Sequence, residues 1–301
     1  MASIGLQPKS SADAHRRQQI EKALRDGSLP EQTLADWLNE IEGWGNHQVQ
    51  FYQATTAGRE PWRNGKNAVA TIDALDAWDW VDAPRPLWPG DDPCIYAITH
   101  SGSRLRVSWA EQRTYLDPCV EENIEDEDFL WKAYSKQHRR CFHHFDFDAT
   151  LGHASLIMAK LPSGGSYPQL QDRLLLDLEP YVPRAALELV GLQSTLRKLE
   201  ESPDVLRRSL NLQTRNQSKI DVTSANKKQD AFAGPLLSSI RDELLGGTSP
   251  VKGMFYWLVG EQPLQRFVGS RVYPKQDRFS IEGQCTEQEV MDVLRSMRAA
   301  G

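Results

Sequence analysis

The densest grouping of chemistry-bearing side chains is His143, His144, Asp146, Asp148 and His153, in CFHHFDFD and the residues just after it. Side chains alternate along a strand, so His144, Asp146 and Asp148 would share one face and His143, Phe145 and Phe147 the other. If residues 149–152 turn the chain, His153 opens the partner strand close by. An imidazole with two carboxylates is a donor set for a divalent cation that keeps positions open for water and substrate. On that reading the chain is a metal-dependent hydrolase or nuclease. His144, Asp146 and Asp148 bind the ion, and His153 is a further ligand or a base. The same residues also describe a half-buried strand with aromatics inward and His and Asp on the wet face. No H-E-x-x-H stands anywhere in the chain, and no cofactor is otherwise evident.

Ser163, Gly164, Gly165 and Ser166 follow a strand-like run and precede a helical one. Free backbone N–H groups in such a turn can cradle a phosphate. The segment is not a P-loop, and glycines there also serve as plain turn residues. A third candidate is the basic stretch 197–228. Arg197, Lys198, Arg207, Arg208, Arg215, Lys219, Lys227 and Lys228 stand against four carboxylates there. Such a segment can contact phosphate backbones without reading sequence, which makes sequence-independent nucleic-acid binding an alternative function. Cys141 lies two residues from His143, but no third orienting group is near in sequence, so a buried structural thiol is expected.

Seven of the nine tryptophans precede residue 110. Trp37 falls on a helical stripe. Trp44, Trp62 and Trp88 sit in Gly- and Pro-rich loops, where tryptophans mark a partner surface or fill a seam between units.

The elements that must position these residues read as α+β. An N-terminal helical region, 1–82, holds a helix ended by Gly27, a second with Leu34, Trp37, Leu38 and Ile41 at i, i+3, i+4, i+7, and a third over 66–80. The second helix is acidic, which disfavours a DNA-reading helix-turn-helix. Residues 83–93, with four prolines, read as a hinge. Residues 94–212 read as an α+β domain: a hairpin around Ser101-Gly102-Ser103, a third strand at 113–116, strands at 141–148 and 153–161, then helices. Seven carboxylates in 117–130, followed by Lys136, His138, Arg139 and Arg140, have the charge order of a helix; the spacing does not fit a calcium loop. Further helices are expected to carry Leu170, Leu174 and Leu178, then Leu189 to Leu199, then a start at Ser202-Pro203-Asp204. Residues 213–230, poor in apolar side chains, read as a polar linker or loop. Residues 231–301 read as a short helix and then a β-β-β-α unit, with Thr286 and Glu289 at capping-box spacing. The hairpin-strand-helix order of 94–140 resembles that last unit, without clear residue identity.

Composition bounds the function classes. The chain has 301 residues, 40% hydrophobic and 25% charged, with a formal net charge of −6. These values exclude collagen-like, mucin-like and wholly disordered chains, and a uniformly basic coat for nucleic acid. No apolar run approaches the ~20 residues of a membrane span, and the first residues lack the apolar core of a secretory signal. Four widely spaced cysteines without a C-x-x-C suit a reduced, cytoplasmic protein. With no complete catalytic motif, the expectation is a non-catalytic interaction or adaptor component of a cytoplasmic multi-protein assembly, acting on or near nucleic acid. It would have a protein partner and no membrane association.

Overall fold

In the computed structural model, residues 13–86, 88–118, 124–125, 130–202, 205–224, 229–259 and 266–301 are described. The helix carrying Ala23 is α1 (Asp13–Arg25), ended at Gly27, whose φ of +74° suits a residue without a Cβ. The acidic stripe forms α2 (Glu31–Trp44), only half buried.

The next element departs from an all-helical start. HQVQFYQA forms β1 (His47–Ala54). It is buried on both faces because it is a central strand: Val49 and Phe51 enter one core and Tyr52 the other. Two short helical pieces follow, α3 (Thr56–Arg59) and α4 (Gly65–Ala74), the latter capped by the Asn64 side chain. The proline-rich stretch after them makes contacts with the rest of the molecule. Arg85 reaches the Asn39 carbonyl and lies 5.4 Å from the Phe142 ring centre, and Gln112 donates its backbone N–H to Gly90 O at 2.6 Å.

The expected hairpin is present as β2 (Cys94–Ser101) and β3 (Arg104–Pro118), with Gly102 at φ +64° in its turn. Among the described residues of the stretch expected to be an acidic-to-basic helix, none is helical. Its basic half is the start of β6 (Tyr134–Asp148), which pairs with β3 from Pro118↔Tyr134 to Arg104↔Asp148. Between them lies a two-residue ladder, β4 (Ile124–Glu125) with β5 (Leu130–Trp131); Glu121, Glu122, Asp126, Glu127 and Asp128 lie outside the described residues. Cross-strand pairing over fifteen registers outweighs the few tenths of a kcal/mol, up to about 1, that helix-dipole charge order supplies. β7 (His153–Ala159) and α5 (Tyr167–Leu178) follow as expected, α5 burying Leu170, Leu174 and Leu178.

Leu187–Leu189 is a short strand, β8, and the helix expected there begins later, as α6 (Gln193–Glu201). The helix expected to start at Ser202 is instead β9 (Leu206–Thr214); Pro203 and Asp204 lie outside the described residues. The stretch read as a linker contains β10 (Lys219–Thr223), which forms a hairpin with β9 and buries Val222. Two apolar side chains, Val222 and the partly buried Ile220, suffice on an edge strand whose other face is wet. Then come α7 (Pro235–Gly247), β11 (Thr248–Val259), β12 (Arg266–Tyr273), β13 (Arg278–Glu282) and α8 (Glu287–Ala299). The expected capping box is present on both sides: Thr286 Oγ1 accepts from Glu289 N, and Glu289 accepts from Thr286 N.

Eleven strands form one antiparallel sheet in the order β10-β9-β11-β12-β13-β1-β7-β6-β3-β2, with β8 also on β1. The protein is therefore mixed α+β, and the sheet runs without a break through the boundaries expected from sequence. On one face, Phe51, Ile157 and Phe279 pack under Val290, Val293 and Met297 of α8 and Leu196 of α6. On the other, Leu156, Phe145 and Phe147 pack under Leu170, Leu174 and Leu178 of α5. Each such side chain contributes about 2 kcal/mol by leaving water.

The strand order contains a repeat. β2-β3-β6-β7 meanders inward to β1 and is followed by α5. β9-β11-β12-β13 does the same from the other side and is followed by α8, with β10 and α7 inserted after β9. β7 and β13 are both antiparallel to β1, and α5 and α8 cover opposite faces. A two-fold axis along β1 generates that arrangement. The first repeat unit spans 94–178, because the segment read as its helix is strand.

β1 does not carry one continuous partner on its C-terminal-repeat side. β13 pairs with His47–Val49 and β8 with Tyr52–Ala54. Gln50 lies in the gap between them.

Candidate functional site

The His/Asp face forms as the alternation requires. His144, Asp146 and Asp148 share a face of β6, and His153 registers opposite Asp148 on β7. His144, Asp146 and Asp148 each already hold partners within the protein. His144 is sealed at 1% exposure, stacked on Trp44 with ring centres 4.3 Å apart. Its Nδ1 lies 3.0 Å from Ser108 Oγ and its Nε2 3.2 Å from Gly43 O. A carbonyl only accepts, so Nε2 carries the proton and Nδ1 accepts from the serine hydroxyl. Burial first, then the Arg106 charge, hold this imidazole well below its usual pKa and therefore neutral. Asp146 Oδ2 accepts from Arg106 at 2.6 and 3.0 Å; Arg106 also reaches Glu287 at 2.5 Å and lies over Trp44. Asp148 Oδ1 accepts the backbone N–H groups of Thr150 and Leu151, closing the β6–β7 turn. Among the described residues no three His, Cys, Asp or Glu side chains converge to hold a metal ion. The face is a structural network that docks α2 and α8 onto the sheet.

Sequence reasoning missed the partner of His143. Glu111 stands on β3, and its Oε1 accepts from His143 Nε2 at 2.7 Å; His143 Nδ1 accepts from Ala159 N at 3.0 Å. Burial raises the Glu111 pKa, but hydrogen bonds and charge from His143 and Arg113 outweigh it and hold the carboxyl below its usual value. Cys141 does not complete a nucleophilic dyad. Burial pushes its thiol up, and both His143 nitrogens are engaged elsewhere.

Of the loop tryptophans, Trp44 and Trp62 are core residues and present no partner surface. Both are fully buried, and Trp62 Nε1 donates to Tyr181 O at 2.8 Å. Trp88 is 88% exposed. It lies on the rim of a cleft of about 680 Å³ with Tyr115, His138, Arg139, Arg140 and Lys160. The cleft exists because β6 pairs with β7 only over His144–Asp148, so its outer edge from Tyr134 to Phe142 has no strand partner among the described residues. Arg139 lies over Tyr115 and pairs with Asp117 at 3.0 Å; Arg140 pairs with Glu42 at 2.6 Å. Lys160 makes no ion pair among the described residues. The arrangement joins a strand edge without a strand partner, whose Phe142 carbonyl is met by His47 Nε2, to cations and an exposed indole.

Among the described residues the basic stretch does not converge. Arg207 is turned inward, bound to Asp230 at 2.7 Å and to Glu200 O at 2.6 Å. Lys198 holds Gly301 O at 2.7 Å, and Arg197 sits on the same helix, α6. Arg208 is half buried in β9. Only Arg215 and Lys219 share an exposed turn, between β9 and β10. Lys227 and Lys228 lie outside the described residues. The strand ladder, which alternates sides, separates cations that are close in sequence.

Ser163 to Ser166 form the turn into α5. Gly164 has φ +85°, and Gly165 N donates to Pro162 O; Ser166 Oγ accepts from Gln169 N as the helix cap.

No protein-family model matches the chain, and no curated protein is significantly similar to it. Among the described residues no helix is long and apolar enough to cross a membrane.

Proposed function

We propose that the protein is a non-catalytic interaction component that captures an extended, acidic segment of a partner protein along the free edge of β6. The supporting observation is the conjunction at that edge: an unpaired strand border beside a cleft that carries Trp88 and the cations Arg139, Arg140 and Lys160. An added strand gains affinity from main-chain hydrogen bonds, and side-chain pockets supply specificity. An exposed tryptophan on the rim is the residue type that anchors such contacts. Lys160, which makes no ion pair among the described residues, matches an acidic side chain on the incoming strand.

Fluorescence anisotropy tests this with a labelled extended peptide of alternating acidic and β-branched residues. Saturable binding is expected, weakened by more than about tenfold in Trp88→Ala and in Lys160→Glu. The same peptide N-methylated on alternate amides loses binding if backbone pairing carries it. A labelled single-stranded oligonucleotide that binds more tightly, with affinity falling steeply in salt, would replace this reading with nucleic-acid contact.

A further inference from the structure

The gap in the sheet beside Gln50 opens into a second, smaller cavity on the α5 face. It measures about 360 Å³ and is lined by Gln50, Met158, Gly165–Pro168, Gln171, Gln276 and Arg278. No carboxylate is among these residues. We propose that this cavity is a binding site for a phosphate group, free or carried by a small organic monoester. The proposal is independent of the β6 edge, which lies elsewhere on the sheet.

Three separate parts of the chain bring hydrogen-bond donors to this space. The first is the start of α5, a twelve-residue helix. Among the described residues the backbone N–H groups of Ser166 and Tyr167 donate to no protein group, and the helix N-terminus favours an anion there. The second is Arg278, delivered by a left-handed turn at Asp277, φ +43°. Its guanidinium lies 4.6 Å from the Tyr167 ring centre and 5.4 Å from that of Tyr273, and its Nε donates to Gln276 at 2.7 Å. It makes no ion pair among the described residues, so its charge has no internal counter-ion. The third is Gln50, only 5% exposed at the break in the sheet. Its Oε1 accepts a 3.5 Å contact from Tyr52 Oη, and its Nε2 has no acceptor among the described residues. Gln50 lines the cavity, so a ligand oxygen there can accept that N–H.

The donor set selects the ligand. A guanidinium fork, backbone N–H groups at a helix start and a side-chain amide come from three separate elements, a donor set that suits the several oxygens of a tetrahedral oxyanion better than the two of a carboxylate. With one cation and one helix dipole, the charge matches a single phosphate and not a polyphosphate. The cavity is larger than the anion alone, and the uncharged Gln171 and Met158 leave room for a small organic body. Arg278 comes from the C-terminal repeat and α5 from the N-terminal one, so the site exists only where the two halves meet at β1.

Amide-resolved NMR on the ¹⁵N-labelled full chain tests the proposal at physiological salt. Inorganic phosphate, glycerol 2-phosphate and acetate are titrated separately. Saturable shifts at Gly164–Tyr167 and Arg278 are expected with both phosphates and not with acetate, and the tighter of the two identifies the free or the esterified form. Arg278→Gln is expected to weaken binding by about tenfold or more, with Arg278→Lys between. Absent shifts, shifts confined to other regions, equal shifts with acetate, or unchanged affinity in a folded Arg278→Gln would each overturn the assignment. If Arg278→Gln does not fold, the wild-type shift map decides alone.

Discussion

His143 Nε2 and Glu111 Oε1 are 2.7 Å apart, on adjacent strands, and both side chains are sealed from solvent, at 0% and 1% exposure. The register Glu111↔Cys141 and Trp109↔His143 sets the two groups diagonally across the β3–β6 ladder. Arg113 Nε reaches the same carboxylate oxygen. The group is a neutral imidazole donating to an ionised carboxylate, held between the two halves of the longest hairpin.

Removing one member should therefore cost more than removing an ordinary surface charge. Glu111→Ala leaves a buried imidazole N–H and Arg113 without their acceptor and should lower stability by about 3–5 kcal/mol. Glu111→Gln keeps an acceptor and should cost less. Urea unfolding of the two variants measures the difference; equal, small losses would contradict it.

Three histidines are buried neutral: His47, His143 and His144. Burial lowers His47 from 6.5 to about 4 and also carries His143 and His144 down. Lowered folded-state values mean that the unfolded chain binds more protons below pH 6.5. The stabilisation is complete above that pH and lost as pH falls, at about 1.4 kcal/mol per pH unit for each histidine. Glu200 works the other way, because burial raises its carboxyl to about 8. A carboxyl raised in the folded state favours folding at low pH and loses that contribution as pH rises toward 8. The net expectation is a urea midpoint that falls on acidification below pH 6.5, and falls more steeply in Glu200→Gln. A midpoint independent of pH across that window would exclude it.

Trp44 and Trp88 should behave oppositely. Trp44 is fully buried between Arg106 and His144, and Trp44→Ala should cost about 3–5 kcal/mol. Trp88→Ala should change stability by no more than about 0.5 kcal/mol. Thermal unfolding of both variants tests the pair.

Two glycines make a similar contrast. A Cβ at Gly165 would stand 2.8 Å from Leu161 Cβ and 3.1 Å from Pro162 O, so Gly165→Ala should destabilise by about 1–3 kcal/mol. At Gly246, inside α7, a Cβ meets open space, and Gly246→Ala should stabilise by about 0.5–1 kcal/mol. Chemical denaturation gives the sign of each.

What was legible in the sequence was what local pattern encodes. The alternation of GMFYWLVG and RFSIEG, and the Thr286–Glu289 spacing, marked the last strands and helix because one face of each is buried. The first half of β6 was misread because Tyr134–Arg139 stands mostly exposed on both sides of a hairpin, so its hydrophobicity has no period of two, and its charge order mimicked a helix end. β1 gave no signal because a strand buried on both faces loses its alternation. At the sites, the shared face of His144, Asp146 and Asp148 followed from alternation. The groups that neutralise it, Arg106, Ser108 and the Gly43 carbonyl, come from other elements. Trp88 was legible as a loop tryptophan. Arg278 and Gln50 were not, since only the sheet topology carries them to the Ser163–Ser166 turn.

The position of β1 also fixes an order of events during synthesis. His47–Val49 must pair with Phe279–Ile281, more than two hundred residues later in the chain. Until that C-terminal strand leaves the ribosome, one border of the central strand stays open and the core beneath α8 stays wet. Nascent chains stopped before β13 should accordingly recruit hydrophobic-surface chaperones, and the release of those chaperones should coincide with the arrival of the last strand and helix.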